Sequence, residues 1–169
     1  MEKFAFILHP LSLQDMEHLS PLMRYIPDPI IEACLKMKKP FKVSHITGIK
    51  SPYAEAEGWF IGCPLTAKQM VELPEEFVMD RIIESGKVAQ ELGAKIVGLG
   101  AFTSIVGDAG ITVAKNLDIA VTSGNSYTVA TAIQGTKQAA RMMGKDLKEC
   151  RAVVVGATGS IGAASVRLL

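Results

Sequence analysis

The chain has 169 residues, a formal net charge of +1 and an apolar fraction of 49%. That length suits one full domain and part of another, and so apolar a composition excludes a disordered chain. Basic and acidic side chains are interspersed, with neither a basic stripe nor aromatic interleaving, which speaks against nucleic acid as a partner.

Taken in order, Lys3–Leu8 is a compact apolar run closed by His9-Pro10 and reads as a buried first strand. His9 ends that strand, where ligand-binding residues often sit in α/β sheets; the simpler reading is a partly exposed loop histidine. Ser12 looks like the N-cap of a helix carrying Leu13, Met16, Leu19 and Leu22-Met23 on one side. Ile30–Met37 has helical spacing with Cys34 among its apolar members, so Cys34 is expected in the core. Phe41–Ile49 alternates loosely and predicts a strand, and Ser51–Glu57 a polar turn region. Gly58-Trp-Phe-Ile-Gly-Cys63-Pro64 is then a short apolar strand before a helix whose start, Thr66-Ala-Lys-Gln69, has the form of a capping box. Cys63 reads as a packed thiol; a helix start can also lower a thiol pKa.

From Pro74, with Glu75-Glu76 in the first turn, an amphipathic helix runs through Phe77, Ile82-Ile83, Val88 and Leu92 to Gly93. Ala94–Gly100 is a buried strand opening into Ala101-Phe102-Thr103-Ser104. A loop over Val106–Gly110, a short helix over Ile111–Asn116 and a strand over Asp118–Thr122 follow. This alternation predicts an α/β domain with a mainly parallel sheet and helices on both faces. Tyr127–Met143 is a long connecting helix capped by Asn125 or Ser126 and ended by Gly144.

Arg151-Ala-Val-Val-Val155 is a β-branched run that breaks into Gly156-Ala157-Thr158-Gly159-Ser160-Ile161-Gly162 and then small and aliphatic residues to Leu169. It predicts the strand, tight turn and helix of a dinucleotide-binding unit. Gly156 would permit the turn, Gly159 the approach of a pyrophosphate and Gly162 close packing of the helix, with the phosphates on free amides at the helix start. The residue that would read the ribose should follow about 20 positions on, beyond Leu169. One strand and one helix cannot bury both sheet faces. The expectation is therefore a fragment: residues 1–124 as a substrate-side α/β domain, 125–144 as the connecting helix and 145–169 as the first βα unit of a truncated Rossmann domain. Such a fragment is expected to be inactive, with negligible NADPH affinity.

Cys34, Cys63 and Cys150 lie far apart with no C-x-x-C pair, which suggests reduced thiols in a cytoplasmic protein. His9, His18 and His45 lack ligand spacing, so no metal site is expected. No apolar run is long enough to predict a membrane span.

Three segments, Leu99-Gly-Ala-Phe-Thr-Ser-Ile105, Thr122-Ser-Gly-Asn-Ser-Tyr-Thr128 and Val153-Val-Val-Gly-Ala-Thr-Gly-Ser-Ile-Gly-Ala163, resemble the long-chain fatty acyl-acyl-carrier-protein reductases. Trp59–Leu65 is similar more weakly. The resemblance covers about half of a family member. It implies an N-terminal α/β domain followed by an NADPH-binding domain, and a cysteine beyond Leu169 that takes the acyl group from its carrier before reduction to aldehyde. Cys34, Cys63 and Cys150 would not inherit that role, and Tyr127 stands where histidine is expected in the family. The architecture also resembles the shikimate dehydrogenase-like and amino-acid dehydrogenase-like group.

The leading expectation is an NAD(P)H-dependent reductase, using NADPH or NADH, in which residues Gly156 to Gly162 hold the pyrophosphate. Thr103, Ser104, Asn125 and Ser126 would position a carbonyl by hydrogen bonding, in a cleft between the domains. Its partners would be an acyl thioester, an acyl carrier protein and further copies of the chain. A shikimate-like dehydrogenase of a small polar acid is the alternative and needs a lysine or arginine; Lys68 and Lys95 are the candidates. A non-catalytic assembly module with an unpaired strand edge at Val153 is a third reading.

Overall fold

The computed structural model describes residues 1–17 and 24–169. Its elements are β1 (Glu2–Leu8), α1 (Gln14–Glu17), α2 (Asp28–Met37), β2 (Phe41–Lys50), β3 (Glu55–Gly62), α3 (Ala67–Glu72), α4 (Glu75–Glu91), β4 (Ile96–Leu99), α5 (Ile111–Lys115), β5 (Ala120–Thr122), α6 (Asn125–Met142) and α7 (Ser160–Leu168). Two compact units divide at Ser123/Gly124. Among the described residues no helix is long and apolar enough to cross a membrane. The expected first helix runs partly through residues 18–23, so Leu19, Leu22 and Met23 lie outside the described residues. Its visible start is held by Asp15, whose carboxylate accepts from the Leu11 and Ser12 amides.

The first unit, Met1–Ser123, is an α/β fold around a five-stranded sheet in the order β2-β3-β1-β4-β5. Strands β3, β1, β4 and β5 are parallel, while β2 pairs antiparallel with β3 at the edge. This is a Rossmann-like arrangement. β1 is central: the chain leaves it for β2 and β3 on one side, then crosses through α4 to β4 on the other. A crevice outside the carboxyl ends of β1 and β4 therefore lies at the reversal of strand order, where open α/β sheets bind ligands.

The parallel pairing sets alternate side chains on opposite faces. Ala5, Ile7, Trp59, Ile61, Val97 and Leu99 point to one face and join Val78, Met79, Ile82 and Ile83 of α4 and Val113 of α5 in the main core. Burying Ile7, Ile61 and Ile82 fully stabilises by roughly 1.5–3 kcal/mol each. The opposite face is less completely covered. Phe6, Leu8 and Ile96 are 37%, 38% and 40% exposed there, so β1 alternates where a uniformly buried strand was expected. That face is paved by rings lying over glycines: a Cβ at Gly58 would stand 2.7 Å from the Phe4 ring, and Phe6 covers Gly98.

Strand β3 starts at Glu55, three residues earlier than the apolar pattern suggests, because Glu55 and Ala56 pair with Lys50 and Ile49 in a hairpin. The turn is closed by Ser51, whose hydroxyl oxygen accepts from the Tyr53 and Ala54 amides. The capping box forms as expected: the Gln69 amide donates to the Thr66 hydroxyl at 3.2 Å and the Thr66 amide to the Gln69 carbonyl oxygen at 3.1 Å. Gln69 also reaches the Glu32 carbonyl and so ties α3 to α2. Cys34, expected in the core, is exposed. The ten-residue α2 buries a narrow stripe, Ile31 and Leu35, and Cys34 lies beside it.

The second unit, Gly124–Leu169, is two α-helices joined by a 3-10 turn at Leu147–Glu149, an irregular run and a glycine-rich turn. Helix α6 ends in a Schellman motif, the Gly144 amide donating to the Arg141 carbonyl and Lys145 to Ala140, with Gly144 at φ +67°. Its cap is Gly124, not Asn125 or Ser126, and no side chain caps it. The predicted strand Arg151–Val155 is not a strand. Residues 151–154 have no regular structure, and Val153 and Val155 are 89% and 94% exposed. A strand exists through its neighbours, and the described residues of this unit supply none.

Candidate functional site

In the first unit the ends of β1 and β4 bring together residues that are 93 positions apart in sequence. Beyond β4 the chain makes a short 3-10 turn over Ala101–Ser104. Gly100 must be glycine: its amide donates to the Ile7 carbonyl at 3.1 Å, and a Cβ would stand 2.6 Å from that same oxygen. Ala101 then takes φ +49°, a left-handed conformation unfavourable for any residue with a Cβ.

His9 closes the arrangement. Its Nε2 lies 3.2 Å from the Phe102 amide nitrogen and its Nδ1 3.0 Å from the Pro10 carbonyl oxygen, and its ring meets Phe102 edge-on at 5.9 Å. Burial lowers its pKa, opposed by the hydrogen bond to Pro10 and by the Asp15 charge. His9 is the partly exposed loop histidine expected, and it also bonds to the turn after β4. The sequence showed its place at a strand end, but not its partner Phe102 in the turn after β4.

The predicted positioning residues of this unit bond locally. Thr103 is buried and donates to the Gly100 carbonyl at 2.7 Å; Ser104 is half-buried and donates to the Ala101 carbonyl at 2.7 Å. Beside them, at the ends of β1 and β3, a mostly apolar cavity of about 330 Å³ is lined by Leu8, His9, Pro10, Leu35, Phe41 and Val43. Cys63 also borders it, fully buried, with its thiol pushed up to about 11 by burial. The packed-thiol reading therefore holds. Lys68 pairs with Glu32 and Glu72, and Lys95 with Glu2, all at the surface.

In the second unit the glycine-rich turn has a definite geometry. Gly156 takes φ +75°, and the Gly159 amide donates back to its carbonyl at 3.0 Å. A Cβ on Gly162 would collide with the Gly156 carbonyl oxygen and lie 3.0 Å from the Ala157 Cα. The first turn of α7 thus lies against the loop that precedes it. Residues 156–161 are exposed, and no side chain caps the helix, so its first amides face outward. Asn125, the first residue of α6, donates through Nδ2 to the Ser160 hydroxyl at 2.9 Å. That bond joins two helix N-termini, and Ser126 beside it is exposed.

No family model matches the chain. It is 34% identical over 128 residues to an aminotransferase, PigE, of a Serratia species, an alignment covering 76% of this chain and 14% of that protein. It is 26% identical over 183 aligned positions to the long-chain acyl-[acyl-carrier-protein] reductase of Synechococcus elongatus, covering 98% of this chain and 51% of that protein. The chain thus spans about half the length of one relative and a seventh of the other, and its similarity is to segments of two enzymes with different names.

Proposed function

We propose that the protein is an NAD(P)H-dependent oxidoreductase, with residues 1–124 as its substrate-side domain, 125–144 as a connecting helix and 145–169 as the start of the cofactor domain. The observation that carries the reading is the cradle at Gly156–Gly162. Gly162 lets the first turn of α7 pack on the Gly156–Ala157 backbone, the helix start has no side-chain cap, and exposed amides with a favourable dipole suit a pyrophosphate. Gly156, Ala157, Thr158, Gly159, Ser160, Ile161 and Gly162 would hold that group, with Asn125 fixing the Ser160 hydroxyl. When bound, the nicotinamide supplies the hydride chemistry.

The substrate we propose is a fatty acyl thioester, presented by an acyl carrier protein and reduced to the aldehyde. The likeness of 98% of this chain to 51% of the Synechococcus reductase supports it. Thr103 and Ser104 would act through the shape of the Gly100–Ser104 turn, and Asn125 and Ser126 at the start of α6. Both lysines that a small acid would need are already paired with carboxylates, so the shikimate-like alternative gains no support.

The test is to incubate the full-length parent protein with a long-chain acyl thioester and NADPH and look for aldehyde by mass spectrometry, with shikimate and NADP as the competing assay. Aldehyde is the expected product. Turnover of shikimate without aldehyde would sink the reading.

A further inference from the structure

We infer that His9 is a positioning residue: its neutral ring, protonated at Nδ1, pins the Gly100–Ser104 turn to the end of β1, so that the turn's conformation follows the protonation of this ring. The inference goes beyond the cofactor reading and stands whatever ligand the crevice takes.

The two contacts fix the tautomer. The Phe102 amide can only donate, so Nε2, 3.2 Å away, must be the unprotonated acceptor. The Pro10 carbonyl can only accept, so Nδ1, 3.0 Å away, carries the proton. An imidazolium would turn a second donor toward the Phe102 amide and break the one bond from the ring to the turn. The turn it would release holds Ala101 at φ +49°, a conformation that persists only where its surroundings impose it.

Among the described residues, the surroundings add little charge. The turn itself contributes no ionisable side chain, the buried Cys63 thiol at the end of β3 borders the same cavity, and Asp15 on α1 is the charged group acting on the ring. The Asp15 carboxylate is occupied by the Leu11 and Ser12 amides. Burial outweighs it and lowers the pKa of the ring. The neutral ring's contribution to stability is therefore complete above the ordinary histidine value of about 6.5 and is lost as pH falls through the lower folded value.

The experiment is an NMR pH titration of the isotope-labelled chain from pH 8 to 5, compared with His9→Gln and His9→Phe. Ring nitrogen shifts should show the Nδ1-protonated tautomer at pH 8, and the Phe102 amide shift should move with the His9 midpoint, below about 6.5. His9→Gln, whose side-chain oxygen can accept from Phe102 but does not titrate, should keep that amide's shift near its high-pH value and flatten its pH dependence. His9→Phe should speed Phe102 amide exchange about 2- to 10-fold. A Phe102 shift that stays flat while His9 titrates, one that titrates equally in His9→Gln, or an Nε2-protonated ring would overturn the inference. If His9→Phe fails to fold, the wild-type and Gln titrations decide alone.

Discussion

Ile96-Val-Gly-Leu99 and Ala152-Val-Val-Val155 are both short aliphatic runs leading into a glycine turn, yet one is a strand and the other is not. Val97 is fully buried with β1 and β5 on either side, whereas Val153 is 89% exposed. The more strongly β-branched of the two is the one without structure. β-propensity measures how a side chain fits a sheet that is already there, so neighbours outweigh composition. The glycine turns differ in the same sense. Gly100 is locked by the Ile7 carbonyl and the Phe6 ring, while Gly156 has nothing within 4 Å of where its Cβ would be.

The largest effect should appear in thiol reactivity. Cys63, at the end of paired β3, is buried with its pKa near 11, while Cys150, at the edge of the unpaired run, is exposed, as is Cys34. Thiolate is the reactive form, so at pH 8 the Cys63 rate should fall more than 100-fold below that of a free thiol, before its burial is counted. Alkylation of the native protein followed by intact mass should give two adducts quickly and the third only after unfolding. A rapid third adduct would show that the end of β3 opens.

Stability should divide the two runs next. Val97→Ala removes two buried methyl groups and should cost about 2 kcal/mol in urea unfolding, against less than about 0.5 kcal/mol for Val153→Ala. Equal losses would mean that residues 151–155 are paired in solution. The glycines give a closer test. Gly100→Ala forces a Cβ onto a backbone oxygen and should cost roughly 1–3 kcal/mol, whereas Gly156→Ala has open space and should cost about 1–2 kcal/mol from its left-handed backbone alone.

These contrasts also mark what the sequence could reveal. The Thr66–Gln69 capping box and the Pro74-to-Gly93 helix were legible because their determinants lie within a few residues of each other. Glu55 and Cys34 were not, because β3 gains its first turn of pairing from β2, and α2 buries a stripe set by what lies beneath it. At the crevice, Gly100–Ser104 was visible as a break after a strand. The bond from Phe102 to His9 depends on β1 and β4 becoming neighbours, and no local pattern announces it. The rings over Gly58 and Gly98 are hidden for the same reason.

The smallest expected change in stability bears most directly on function. Thr66 caps α3 with a side chain, while Gly159 stands at the cap of α7 with none, although its φ of −75° and ψ of 165° would suit Asp or Ser. A Cβ there would meet the Gly156 carbonyl oxygen at an ordinary 3.4 Å, so sterics do not demand glycine. Gly159→Asp should therefore raise helix stability by a few tenths of a kcal/mol, through the cap bond and the charge at the N-terminus. The same carboxylate would occupy and repel at the place proposed for a pyrophosphate. If the cradle holds that group, the full-length parent protein carrying Gly159→Asp should melt slightly higher and lose NADPH binding by calorimetry. A variant that melts higher and binds NADPH as before would leave the helix start as a plain uncapped turn and remove the main support for the cofactor assignment.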